Sequence, residues 1–275
     1  MPILPRADAL YEDLPVVNGS LEPGARRILM DTNKLADGML DSALAPVGLA
    51  SPRAVPYLID RMEPTRNGIT NGYTDGNRIG INPYIVPESS LFRKYARMLS
   101  ESENPFAKYI YKQIQKPVTH LLKTIVHEKL HVGTQMRERY RSDGSSTNFI
   151  NDVFEATTEY MNERLPKFLK PLSGYFASRV FVPMVEGLNE GMTYQALGMK
   201  DNGTIRAAAS KEPTSYAAFT KLATESLDGM GTNSPGQFYR DYFSRGYATA
   251  KEYVGGFMNS LGRYAGQQQA ACACA

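Results

Sequence analysis

Hydrophobic positions recur at helical spacing over most of the chain and alternate only near its front. Ile28, Leu29, Leu35, Met39, Leu40 and Leu44 fall on one face of an amphipathic helix over residues 22–44. Residues 54–61 read as a short strand, and Pro56, which has no N–H to donate, puts that strand at a sheet edge. The pairs Asn67-Gly68, Asn71-Gly72 and Asp75-Gly76 supply the positive backbone angles that hairpin turns require. Ile79 and Ile81 then alternate as in a half-buried strand over 77–82. Beyond Pro87 the spacing is helical. It predicts a helix over 88–102, a second opened by Asn104-Pro105, and a restart at Pro117 that runs to about Arg141. A loop over 142–147 leads to a helix ending before Pro166, with further helices at 183–199, 213–228 and 235–258.

The fold class expected is α+β, predominantly helical with a small N-terminal sheet. Residues 1–20 form an irregular lead-in, 21–262 a single domain and 263–275 a flexible C-terminal tail. With 275 residues, 42% of them apolar and 21% charged, the composition is that of an ordinary globular domain. A net charge of +3 without a basic stripe argues against nucleic acid as a partner. No apolar run approaches the ~20 residues of a membrane helix, so no transmembrane segment is expected. The N-terminus lacks a signal-peptide pattern, and synthesis in the cytoplasm is the expectation. Cys272 and Cys274 lie two apart near the end and cannot staple a fold. The last four residues match a C-a-a-X pattern in form, but the Ala/Gln-rich composition there is that of a plain tail.

Two of the three histidines form His127-Glu128-Lys129-Leu130-His131. Positions i and i+4 share a helix face, so two imidazoles converge on one ion, and the glutamate after the first stands where a general base is wanted. Three His and 16 Glu in 275 residues make such a spacing arise by chance in roughly one chain in 500. One Zn2+ per chain is therefore expected, held by His127 and His131 with Glu128 as base. His120, seven residues before His127, is about 10 Å away along the helix and reads as structural. Gly133 and Arg137 break the HExxHxxGxxH pattern, so the third ligand is expected to be a carboxylate from a later helix. Glu155, 24 residues after His131, is one candidate. Glu190, with Glu186 a turn before it, is the other, because carboxylates among Phe181, Met184, Val185, Leu188 and Met192 are costly unless paired or bound to metal.

HEKLH followed by Glu155-Ala-Thr-Thr-Glu159-Tyr160 resembles the gluzincin, or thermolysin-like, metallopeptidases over roughly residues 75–165. The resemblance implies a zincin-like domain in which His127, His131 and Glu155 hold zinc and Glu128 is the catalytic base. It assigns Glu159 the acceptor for an imidazole N–H, a role that fixes tautomer and ring orientation. It also implies a protein or peptide substrate, paired along an edge strand that Arg78–Ile81 resembles. The apolar setting favours Glu190, but spacing and the E-x-x-x-E pattern make Glu155 the expected third ligand. Tyr194, one helical turn after Glu190, is the candidate oxyanion donor. The function expected is zinc-dependent hydrolysis of peptide bonds, as in a delivered effector, a toxin or a processing protease. The alternative is a non-catalytic helical interaction or structural protein with a degenerate site, against which the retained Glu128 argues.

Overall fold

The structure, a computed structural model, describes residues 21–58, 64–65, 68–69, 72–75, 78–114, 117–135, 139–140, 146–197, 217–230 and 247–273. Among the described residues the α-helices are α1 (Pro23–Leu44), α2 (Ser90–Glu101), α3 (Pro105–Ile114), α4 (Pro117–Gln135), α5 (Phe149–Arg164), α6 (Ser173–Ala196), α7 (Ala217–Gly229) and α8 (Tyr247–Ala273). The strands are β1 (Val55–Leu58), β2 (Pro64–Thr65), β3 (Gly68–Ile69), β4 (Gly72–Asp75), β5 (Arg78–Ile81), β6 (Arg139–Tyr140) and β7 (Ser146–Thr147). The fold is α+β, mostly helical with one three-stranded sheet. No helix among the described residues is long and apolar enough to cross a membrane. The chain groups into two compact units, Met1–Leu40 with Ser51–Val132, and Asp41–Ala50 with Gly133–Ala275.

In the first unit the sheet order is β1-β5-β4. β1 runs parallel to β5 and β4 antiparallel to it, with Pro56↔Ile79 and Thr74↔Ile79 in register. Alternation sends Ile79 and Ile81 to one face, where both are fully buried. β1 lies at an edge, as Pro56 requires. The strand expected to offer an edge to a peptide, Arg78–Ile81, is instead the centre of the sheet, since β1 and β4 occupy both of its hydrogen-bonding sides. The edge beyond it is β4. A second cluster joins Tyr84 to Tyr95, Leu99 and Ala107, with the two tyrosine rings edge-to-face at 5.8 Å. Ser89 caps α2, accepting from the Phe92 N–H and donating to the Pro83 carbonyl, each at 2.9 Å.

The second unit is a ring of helices in which α5 packs on α6, α6 on α7, α7 on α8 and α8 back on α5. Glycine sets two of the close approaches. A Cβ on Gly187 would lie 2.6 Å from the backbone of Phe219, and one on Gly256 would lie 2.5 Å from Ser226 Oγ. Ser226 Oγ donates to the Tyr253 carbonyl at 2.7 Å, and Tyr253 Oη donates to the Met184 carbonyl at 2.9 Å, so α7, α8 and α6 are pinned in series.

Several boundaries differ from the sequence pattern. α6 begins ten residues before Pro183 and carries that proline inside it. The helix tolerates the lost N–H because Ala177, Met184, Leu188 and Met192 are buried along one side, and burial outweighs local propensity. α4 is described to Gln135 rather than Arg141, and Arg139 and Tyr140 pair antiparallel with Thr147 and Ser146. α8 continues to Ala273, through residues that composition assigns to a tail. The lead-in 1–20, the turn residues 67, 71, 76 and 77, the loop residues 142–145, the first part of the 235–258 helix, and Cys274 lie outside the described residues.

Candidate functional site

α4 is a core helix of the first unit. Pro117 opens it, where its missing N–H costs nothing, and Leu121, Leu122, Ile125, Val126, Leu130 and Val132 are buried along it. His127 and His131 are half-buried on the same side, one turn apart. Their Nε2 atoms stand 3.2 Å from each other, with ring planes at 74°. Two nitrogens that ligate one tetrahedral zinc at about 2.0 Å stand roughly 3.3 Å apart, so this pair has the bite of a shared metal ion. Two imidazole nitrogens at this separation are donors that suit zinc chemistry.

Glu128 is 7% exposed. Its Oε2 accepts a hydrogen bond from Thr74 Oγ1 at 3.0 Å, which ties the carboxylate to the edge strand β4. The strand can come this close because position 72 is glycine. A Cβ there would lie 2.9 Å from Thr124 Cγ2 and 3.1 Å from both Glu128 Cγ and the Gly80 carbonyl.

Lys129 is wholly buried. Its Nζ donates to Asp37 Oδ1 at 2.9 Å, to the Ala54 carbonyl at 2.9 Å and to the Pro52 carbonyl at 3.4 Å. Asp37 also accepts from Ser51 Oγ at 2.9 Å and has Arg53 at 3.6 Å. A buried ammonium is tolerated when its donors are satisfied, and here they anchor α4 to α1 and to the approach of β1. The motif's side chains are thus held from two directions, Glu128 by a strand hydroxyl and Lys129 by a buried ion pair.

His120 lies half-buried upstream on α4, and its carbonyl accepts from Thr124 Oγ1 at 3.1 Å. The remaining residues singled out in the sequence lie on helices of the second unit. Glu155 is exposed on α5, on the side away from buried Asp152, Val153 and Ala156. Glu159 accepts from Lys251 Nζ at 3.0 Å, an α5–α8 ion pair with both side chains well exposed. Glu186 is half-buried on α6, Glu190 is 4% exposed and Tyr194 is 1% exposed on the same helix. Thr74, Lys129 and Asp37 were not singled out by spacing, and Gly72, expected in a turn with a positive backbone angle, instead begins β4. Lys129 carries the one signal that was available, a cation flanked by apolar residues at core positions of a helix. Comparison with protein-family models, with curated proteins and with solved structures gave no match.

Proposed function

We propose that this chain is a zinc-dependent metallopeptidase with a zincin-like arrangement around α4. The observation that carries the proposal is the 3.2 Å separation of the His127 and His131 Nε2 atoms on one helix face, with a strand-anchored Glu128 beside them. His127 and His131 are two ligands. The third ligand is a carboxylate from a later helix, with Glu155 the first candidate and Glu186 and Glu190 the others. Zinc, when bound, supplies Lewis-acid polarisation of a carbonyl and lowers the pKa of water toward ~7.

Glu128 takes the proton of the attacking water and passes it to the leaving amine. Thr74 fixes which carboxylate oxygen is engaged. The outer edge of β4 pairs an extended substrate chain through backbone hydrogen bonds, which suits a peptide better than a small ester.

Elemental mass spectrometry tests the metal directly. The expected result is about one zinc per chain in wild type, lost in His127→Ala and His131→Ala. Loss in only one of Glu155→Ala, Glu186→Ala and Glu190→Ala identifies the third ligand. Glu128→Gln is expected to keep its zinc and lose at least about a hundredfold in hydrolysis of labelled casein. Tyr194→Phe tests the oxyanion role through kcat alone. Wild type without zinc after incubation with the metal rejects the proposal.

A further inference from the structure

Large apolar side chains are exposed in one continuous stretch of the second unit. Phe168 is 78% exposed, Leu172 47%, Tyr175 56% and Val182 53%. They follow one another at intervals of four, three and seven residues, from the 3-10 turn Lys167–Leu172 into the first half of α6. Within α6, Tyr175 and Val182, two turns apart, share one face, and the 3-10 turn before it adds Phe168 and Leu172. That face is turned outward, because the packed side of α6 is the one bearing Ala177, Met184 and Leu188.

The charges along this stretch have one sign. Arg164, Lys167, Lys170 and Arg179 are all exposed, and no Asp or Glu occurs from 164 to 185. Glu163 borders the stretch and lies 3.7 Å from Arg164. Arg179 Nη2 donates to Tyr175 Oη at 3.1 Å, which holds a cation beside an apolar ring. Pro166 and Pro171 restrict the backbone around Phe168, so its presentation to solvent costs little ordering when something binds.

We propose that this face docks on an anionic lipid bilayer, with Phe168, Leu172 and Tyr175 entering the headgroup boundary and Lys167 and Lys170 meeting lipid phosphates and carboxylates. An apolar stripe flanked by lysine and arginine, on a segment that lies along its support, is what interfacial binding requires. A second copy of the chain is a poor occupant, because it would bring the same basic residues against themselves. The proposal is independent of the metal site.

The chain contains no tryptophan, so Phe168→Trp places a single reporter in the face without a competing signal. The full chain carrying that substitution is mixed with phosphatidylcholine vesicles, with or without about one-third phosphatidylserine. A blue shift of the emission with the anionic vesicles alone, reversed by high salt, is expected. Reversing both lysines (Lys167→Glu with Lys170→Glu) should weaken partition by about tenfold or more. Circular dichroism melts should be unchanged, since both positions are exposed.

An unshifted emission with anionic vesicles overturns the proposal, as does partition that ignores the lysine reversal. An equal shift with polyglutamate overturns it in favour of an acidic protein. Self-association in sedimentation, abolished by Phe168→Ser and unaccompanied by vesicle binding, overturns it in favour of a second copy.

Discussion

Thr74 Oγ1 donates to Glu128 Oε2 at 3.0 Å across 54 residues of sequence. A strand hydroxyl thereby restricts the rotation of the carboxylate proposed as base. Thr74→Val keeps the shape of the side chain and removes the donor. It should lower kcat on labelled casein by about tenfold, the rate equivalent of one hydrogen bond, with zinc content and KM unchanged. Thr74→Ser should restore the rate. A Val variant as fast as wild type would show that the hydroxyl does not orient the base.

Lys129 and Asp37 form a pair in which the lysine is wholly buried and the aspartate side chain is 17% exposed. Removing one partner leaves a charge without its counterpart. Lys129→Ala should cost about 3 kcal/mol in denaturant unfolding, at the low end for such pairs because Ser51 and Arg53 still reach Asp37. Lys129→Met combined with Asp37→Ala should cost less than the sum of the two single changes, and strict additivity would argue that the pair is not coupled.

Gly187 and Gly191 lie one turn apart on α6 and should respond oppositely to alanine. A Cβ at 187 meets Phe219 backbone at 2.6 Å, whereas at 191 the nearest atom is Thr220 Cγ2 at 3.9 Å. Gly187→Ala should cost about 1–3 kcal/mol by forcing α6 and α7 apart. Gly191→Ala should gain about 0.5–1 kcal/mol from helix propensity. The thermal midpoints of the two variants, measured side by side, check both signs.

Glu22 Oε1 accepts from the Ser90 N–H at 3.0 Å at the start of α2. The hydrogen bonds from Ser90 hold its carboxyl below the ordinary value of 4.5. A lowered folded-state pKa means that the stabilisation is fully present above about pH 4.5 and is lost as pH falls through the lowered value. Wild type should therefore lose part of its stability below that pH, and Glu22→Gln should show a shallower acid dependence. Identical acid slopes would remove Glu22 from the account.

Where a pattern is local, it was legible. The amphipathic α1, the opening of α3 at Pro105, the restart at Pro117 and the alternation of Ile79 and Ile81 follow from spacing and backbone chemistry alone. So does the placing of two imidazoles on one face of α4. What spacing could not supply is pairing between distant segments. That β1 joins β5 in parallel, which makes Arg78–Ile81 a central strand, depends on a connection whose length and hydrogen bonding no periodicity encodes. The same holds for Thr74 and Asp37, which reach α4 from 54 and 92 residues away. Pro183 misled for a different reason, since a propensity near 3 kcal/mol against helix is overcome when several apolar side chains on one face are buried.

On the opposite face of the sheet, the Tyr73 ring lies across Gly80, in the space that a Cβ there would contest at 2.6 Å. Its hydroxyl meets that of Tyr57 at 2.5 Å, while the Arg78 guanidinium sits 4.2 Å from the Tyr57 ring centre. Consecutive residues of one short strand therefore work in opposite directions, Tyr73 as an outer clasp over the central strand and Thr74 as an inner hold on the carboxylate. Slack introduced at the clasp has only a single peptide unit to cross before it reaches the hold. A strand of four residues, gripped from both faces, acts as a tuning peg for Glu128: what tightens the outside of the sheet sets the play allowed to the carboxylate within.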